Sequence, residues 1–158
     1  MKAGSRKAPS FIGLSPASPA SSHAKKMNRS SDTEHERILR KKLWNAGLRY
    51  RKNVKTLPGK PDIVFPATRV VVFCDGDFWH GRDWRSLSRK LRMGTNAGYW
   101  IPKIEANRHR DRRNEQLLKR GGWTVIRVWE TDIHRDAQRA AQIISQIVRD
   151  SRGCDEVH

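Results

Sequence analysis

Asp62 and Asp75 bracket two apolar runs, "DIVF" and "RVVVFCDG", joined by the short link 66–68. If that link closes a hairpin, residues whose numbers sum to about 135 pair with one another, which sets Asp62 opposite Phe73. Neighbouring strands lie about 4.8 Å apart, so the Asp62 carboxylate, the main-chain carbonyl of Cys74 and the Asp75 carboxylate all come within reach of one hard cation. Oxygen donors at an open strand end suit magnesium, which keeps several of its own waters. Asp also starts turns and strands for local reasons, so the cross-hairpin meeting carries this reading rather than the "PD" dipeptide alone. His80 follows Asp75 closely enough to move a proton near neutral pH beside a metal-held phosphate. The plainer alternative for His80 is a structural histidine bonded to a carbonyl.

Aromatic residues crowd the same stretch. Phe78 and Trp79 are adjacent rings in a charged setting, fit either to stack on and wedge between nucleic-acid bases or, for one of them, to fill the core. Further along, Trp100, Lys103, Asn107 and Asp111 recur at spacings of three or four, so one helix face presents a ring, a cation, an amide and an acid. Asp111 is the one acid within "RHRDRR" and is expected to orient an arginine there. Glu36 stands three residues after Thr33, a spacing that a capping box already explains.

The elements that must position these groups can be traced by period. Thr33 opens a helix with Leu39, Leu43 and Ala46 on one face and Gly47 as its stop. "LRYRKNV" alternates like a strand, and "TLPGKPD" is a turn. "RVVVFCDG" is apolar throughout its first part, as a central strand covered on both faces would be. Residues 81–95 form a looser basic segment. A charged helix follows from Tyr99, with Pro102 in its first turn and glycines at its end. "WTVIRVW" is another strand, and 135–150 a closing helix with Ala137, Ala140, Ile144 and Ile147 on one stripe. Helix, three strands, helix, strand, helix predicts a mixed α/β sandwich.

Composition points to the partner. Among 158 residues, 33 Lys and Arg oppose 16 Asp and Glu, for a net charge of +17. Such a surplus, interleaved with six Trp, fits a nucleic-acid phosphate backbone better than a membrane headgroup layer. Residues 1–30 hold six of the cations and no acid, and their Ser, Pro, Ala and Lys content predicts a disordered basic tail. The folded domain is expected over 31–150, with a flexible C-terminus at 151–158. Two cysteines exclude a disulfide framework and a four-cysteine metal cluster. With no run of roughly 18 apolar residues and no signal-peptide core, a cytoplasmic protein with no membrane partner is expected.

The motifs "DTEHE", "GLRYRKNVKTLPGKPDIVF", "VVVFCDGDFWHG", "YWIPKIEANRHRDRR" and "GGWTVIRVWE", in this order, resemble the very short patch repair endonucleases, bacterial enzymes that nick DNA beside T:G mismatches. The resemblance covers Thr33 to about Asp132. It implies a restriction-endonuclease-like mixed β-sheet flanked by helices, and magnesium-assisted hydrolysis at the phosphate beside the mismatched thymine. Residue by residue, Asp62 is similar to the family's metal-binding aspartate, and Cys74 stands where a main-chain carbonyl binds the metal. Asp75 occupies a His or Asp position, His80 resembles the proton-transfer histidine, and Glu36 the N-terminal catalytic glutamate. Phe78, Trp79 and Trp100 sit where aromatic side chains enter beside the mismatch, and Asp111 matches the acid on the following helix. From the residues themselves, apart from the resemblance, Lys103, Asn107, Arg110 and Asp111 of that charged helix are expected to contact DNA.

The chain departs from the family at its structural zinc. Where relatives hold it with Cys and His, this sequence has Asp77, "GRDW" and Thr131, so no zinc is expected there. The combined expectation is a monomeric magnesium-dependent nickase on T:G-mismatched double-stranded DNA, associated with the bacterial nucleoid. A restriction or phage-defence nuclease of the same fold without T:G preference, and a non-catalytic nucleic-acid-binding module, are the rivals.

Overall fold

The computed structural model describes residues 31–155, which fall into two compact units, 31–76 with 113–155 and 77–112. The expected tail at 1–30 and the last three residues lie outside the described residues. Within the described residues no helix is long and apolar enough to cross a membrane.

The larger unit holds the sheet. Helix α1 (Glu34–Asn45) begins where the Thr33 side chain accepts the Glu36 N–H, with two acids in the first turn facing the positive end of the dipole. It ends as expected at Gly47, whose φ of +87° suits glycine. There the Leu48 and Gly47 N–H groups return to the Leu43 and Trp44 carbonyls. Leu39 and Leu43 are fully buried, whereas Ala46 is exposed just past the last turn. Strand β1 is only Arg51–Lys52, shorter than the alternation predicted, because Asn53 turns to φ +50° and the partner strand is itself short.

Strands β2 (Ile63–Phe65) and β3 (Val70–Asp75) form the expected antiparallel hairpin, with Ile63 opposite Val72, Val64 opposite Val71 and Phe65 opposite Val70. Residues 66–68 make one 3-10 turn, closed by Arg69 in a left-handed conformation. Strand β4 (Thr124–Trp129) lies parallel to β3, giving the order β1-β2-β3-β4 and a mixed sheet in an α/β fold. β3 is therefore central, and all six of its residues are buried.

Period-two alternation splits the sheet between two cores. Ile63, Phe65, Val70, Val72 and Cys74 pack with α1 and with Ile133, Ile144 and Val148 of the last helix, while Val64, Val71 and Phe73 pack with Leu118. That last helix, α4 (Glu130–Asp155), extends beyond the expected 135–150 at both ends, and Asp136 breaks its regularity. The Asp136 carboxylate accepts the Arg139 N–H, so it caps the longer segment and leaves 130–135 as a separate turn.

The 77–112 unit corrects two expectations. The basic stretch read as loop contains a helix, α2 (Trp84–Met93), and the charged helix α3 (Ala97–Arg120) starts before Tyr99, which leaves Pro102 inside it rather than in its first turn. The proline ring forfeits one backbone bond there, a cost that an earlier start imposes. Helix α2 lacks a capping side chain, since Asp83 sits at φ +48° without accepting from the first turn. The usual start signal is therefore missing.

Candidate active site

At the β3 end, alternation sends the side chains of Cys74 and Asp75 to opposite faces while the main chain of Cys74 faces β2. Asp62 lies just before β2, donates its N–H to the Val72 carbonyl over 3.1 Å, and accepts the Cys74 N–H on Oδ2 at 2.7 Å. The hairpin register thus brings the Asp62 carboxylate to the Cys74 main chain. The Cys74 carbonyl meets His35 Nε2 at 3.3 Å. Burial, reinforced by the charges of Asp62, Glu36 and Asp75, pushes the Cys74 thiol well above its usual range. That shift keeps the thiol neutral, and the Cys74 groups that meet Asp62 and His35 are its backbone N–H and carbonyl.

Asp75 is 3% exposed and accepts a 2.8 Å ion pair from Arg127 Nη1. Arg127 also reaches Glu115 at 3.3 Å and lies over the Phe73 ring, 4.5 Å from its centre. Lys119 bonds the other Glu115 oxygen at 2.8 Å, and this bond, with that from Arg127, holds the Glu115 carboxyl below the ordinary glutamate range against the cost of partial burial. Glu36 is buried as well. Its Oε2 accepts from the Asp32 N–H at 2.9 Å and from Arg40 at 3.4 Å, so the capping box closes one residue earlier than the pattern predicts. Arg40 also pairs with Asp32, whose carboxyl it holds below its usual range.

In the 77–112 unit, His80 Nδ1 lies 2.6 Å from Asp111 Oδ2. An ionised carboxylate only accepts, so Nδ1 carries the proton and Nε2 is the basic position of the ring. The side chain that Asp111 meets at this distance is His80, a pairing that the sequence did not indicate. Gly81 makes this approach feasible, because a Cβ there would stand 2.8 Å from Arg108 Cδ and 3.0 Å from Ile104 Cγ2, at a φ of +66°. Asn107 donates to the Trp79 carbonyl at 2.9 Å and accepts from Arg110 at 2.8 Å, so its amide steadies the aromatic turn.

Phe78, Trp79 and Trp100 meet edge to face, with centroids 5.2 to 5.6 Å apart, and none of the three is fully buried. Tyr99, 4% exposed, supports Trp100 from below at 4.9 Å and has the Lys103 ammonium 5.7 Å above its ring. Asp77 pairs with Arg82 at 3.8 Å and Arg108 lies over Trp84, contacts that hold the segment where a thiolate zinc was not expected. Arg127 and Glu115 were missed by the sequence reading. The signal for Arg127 was present, a lone charge within the strand "TVIRVW" that has to find a partner when the strand packs.

A family model described as DNA mismatch endonuclease Vsr matches residues 18–86. The chain is 44% identical over 126 residues to the Type II nicking enzyme V.NmeDIP of Neisseria meningitidis serogroup C, covering 80% of this chain and 84% of that relative. It is 36% identical over 124 residues to the Type II nicking enzyme V.HpaIIP of Haemophilus parainfluenzae, covering 78% and 86% respectively. With DNA mismatch endonuclease Vsr of Escherichia coli strain K12 it shares 37% identity over 99 residues, 63% of this chain and 62% of that one.

Proposed function

The chain belongs to the Vsr family of DNA endonucleases, and from that premise we propose that it nicks one strand of double-stranded DNA beside a T:G mismatch, with magnesium, as the first step of very short patch repair. The observation that carries this reading is the 2.7 Å bond seating the Asp62 carboxylate on the Cys74 main chain. The donors there are oxygens, as a hard cation prefers, and the Cys74 carbonyl keeps a second lone pair beside the one facing His35. Asp62 and that carbonyl would hold magnesium, which when bound supplies Lewis-acid polarisation of the scissile phosphodiester.

The remaining roles belong to the chain's own groups. His80 takes or returns a proton at Nε2, and Asp111 fixes the ring so that this nitrogen is the one presented. Asp75 and Glu36, held by Arg127 and Arg40, keep negative charge around the Cys74 strand end and so favour a cation there. Phe78 and Trp79, backed by Trp100, wedge beside the mismatch, where a weakened step costs less to open. Lys103, Asn107 and Arg110, with the basic tail at 1–30, supply backbone contacts and salt-sensitive affinity. The reading sets the enzyme in the cytoplasm, on the nucleoid, acting as a monomer.

The test is nicking of a T:G duplex and its T:A counterpart with magnesium. Wild type is expected to nick the thymine strand of the mismatch alone, and Asp62→Ala to lose that activity; equal nicking by the variant overturns the assignment. The relatives described as Type II nicking enzymes favour one second reading, a nicking activity attached to a restriction system without mismatch preference. Equal cleavage of matched and mismatched duplexes identifies it. Tight binding with no divalent-dependent cleavage would identify a binding module instead.

A further inference from the structure

His35, Glu130 and His134 have no part in the roles above, yet they converge. Glu130 and His134 stand one helical turn apart in the separate segment that Asp136 cuts off from the rest of α4, so both side chains leave on one side. His35, in the first turn of α1, meets them: one ligand atom from each of the three lies within 4.8 Å of the other two. His35 Nδ1 is 3.8 Å from Glu130 Oε1, and the two imidazole centroids are 6.2 Å apart.

The second nitrogen of His35 decides what the first can do. Nε2 lies 3.3 Å from the Cys74 carbonyl, an atom that only accepts, so the proton of a neutral ring sits on Nε2 and the lone pair on Nδ1, toward Glu130. Metal-binding histidines are commonly held this way, one N–H bonded to a main-chain carbonyl while the other nitrogen ligates. A simple His–Glu ion pair explains less, because 3.8 Å is too long for a hydrogen bond and leaves His134 without a reason to be there.

We propose that His35 Nδ1, the Glu130 carboxylate and the His134 imidazole bind a zinc ion, with water in the fourth position. Two imidazoles and a carboxylate are ligands that zinc takes and that magnesium does not prefer. Bonds of about 2.0–2.1 Å require the three atoms to draw in to roughly 3.3 Å from one another. Half-buried Glu130 and exposed His134 are able to move that far, while His35, 6% exposed, stays fixed by the Cys74 carbonyl. The ion would clamp the start of α1 to the start of α4 and tie both to the end of β3. It uses none of the places where relatives hold zinc, and it needs no thiolate.

Full-length protein stripped with a chelator is titrated with zinc in a calorimeter, without DNA or magnesium, and its melting temperature is followed. One equivalent is expected to bind at micromolar concentration or tighter and to raise the melting temperature. His134→Gln and Glu130→Gln, which alter accessible side chains, should each weaken zinc by more than the roughly 10–100-fold that losing a supporting partner costs, and abolish the rise. Cobalt in place of zinc should give visible bands of a nitrogen and oxygen site without a thiolate charge-transfer band. Zinc binding that is absent in wild type, or unchanged in His134→Gln, overturns the proposal, and neither result bears on nicking.

Discussion

Arg127 Nη1 bonds Asp75 Oδ2 across 2.8 Å, joining adjacent parallel strands near a sheet end where Asp75 is 3% exposed. Phe73, the direct partner of Arg127 in the ladder, lies beneath its guanidinium. Removing only the cation takes the 2.8 Å ion-pair partner from a buried carboxylate. Arg127→Met is therefore expected to destabilise the protein by about 3–5 kcal/mol, read as a lower denaturant midpoint. The double variant Arg127→Met, Asp75→Leu should recover much of that loss, because a buried pair exchanged for apolar groups is close to neutral.

Asp111→Asn keeps the size of the side chain but replaces an acceptor with a group able to donate to His80 Nδ1. The ring would then favour the wrong tautomer. We expect kcat for nicking to fall about 10–100-fold with KM for the duplex little changed, and the lower limb of the pH–rate profile to move. A fall in affinity alone would return Asp111 to a DNA-contact role.

The Phe78, Trp79 and Trp100 cluster combines mutual packing with incomplete burial. Trp79→Ala removes two edge-to-face partners worth about 0.5–1.5 kcal/mol each, so a modest drop in melting temperature is expected. If the ring also wedges into DNA, the variant should lose preference for T:G over T:A duplexes in a binding titration. Trp79→Phe should restore the stability before it restores the preference.

Glu115 gives the protein an acid-sensitive element. Its carboxyl is held below the ordinary value of 4.5 by Lys119 and Arg127, so its contribution to stability is complete above that value and is lost as pH falls through the lowered one. Denaturation midpoints measured from neutral pH downward should separate wild type from Glu115→Gln at pH 6–7 and bring them together below the carboxylate range.

Legibility in the sequence followed distance along the chain. The register of β2 and β3 was readable because a three-residue turn leaves little freedom, and with it came the meeting of Asp62 and Cys74. Asp111 was read against its neighbours, all basic, although its partner His80 comes from a turn far upstream. Helix α2 was missed because Asp83 does not cap it and its Arg and Ser content resembles a loop, even though Trp84, Leu87 and Leu91 keep a helical spacing. Nothing in the sequence marks His35 as a neighbour of Glu130, since only the packing of α1 on α4 brings them together. The Arg127 partnership depended equally on parallel pairing, which no local pattern encodes.

Parallel pairing of β3 with β4 also sets an order of events. The connection between them is the whole of residues 76–123, so closing it costs far more chain entropy than closing the hairpin of β2 and β3. During synthesis Asp75 leaves the ribosome well before Arg127 exists, and the hairpin would have to keep that carboxylate hydrated while it waits. The strand end that carries Asp62 and Cys74 can form early, but Asp75 gains its Arg127 ion pair when β4 docks, which makes that docking a natural last step of folding.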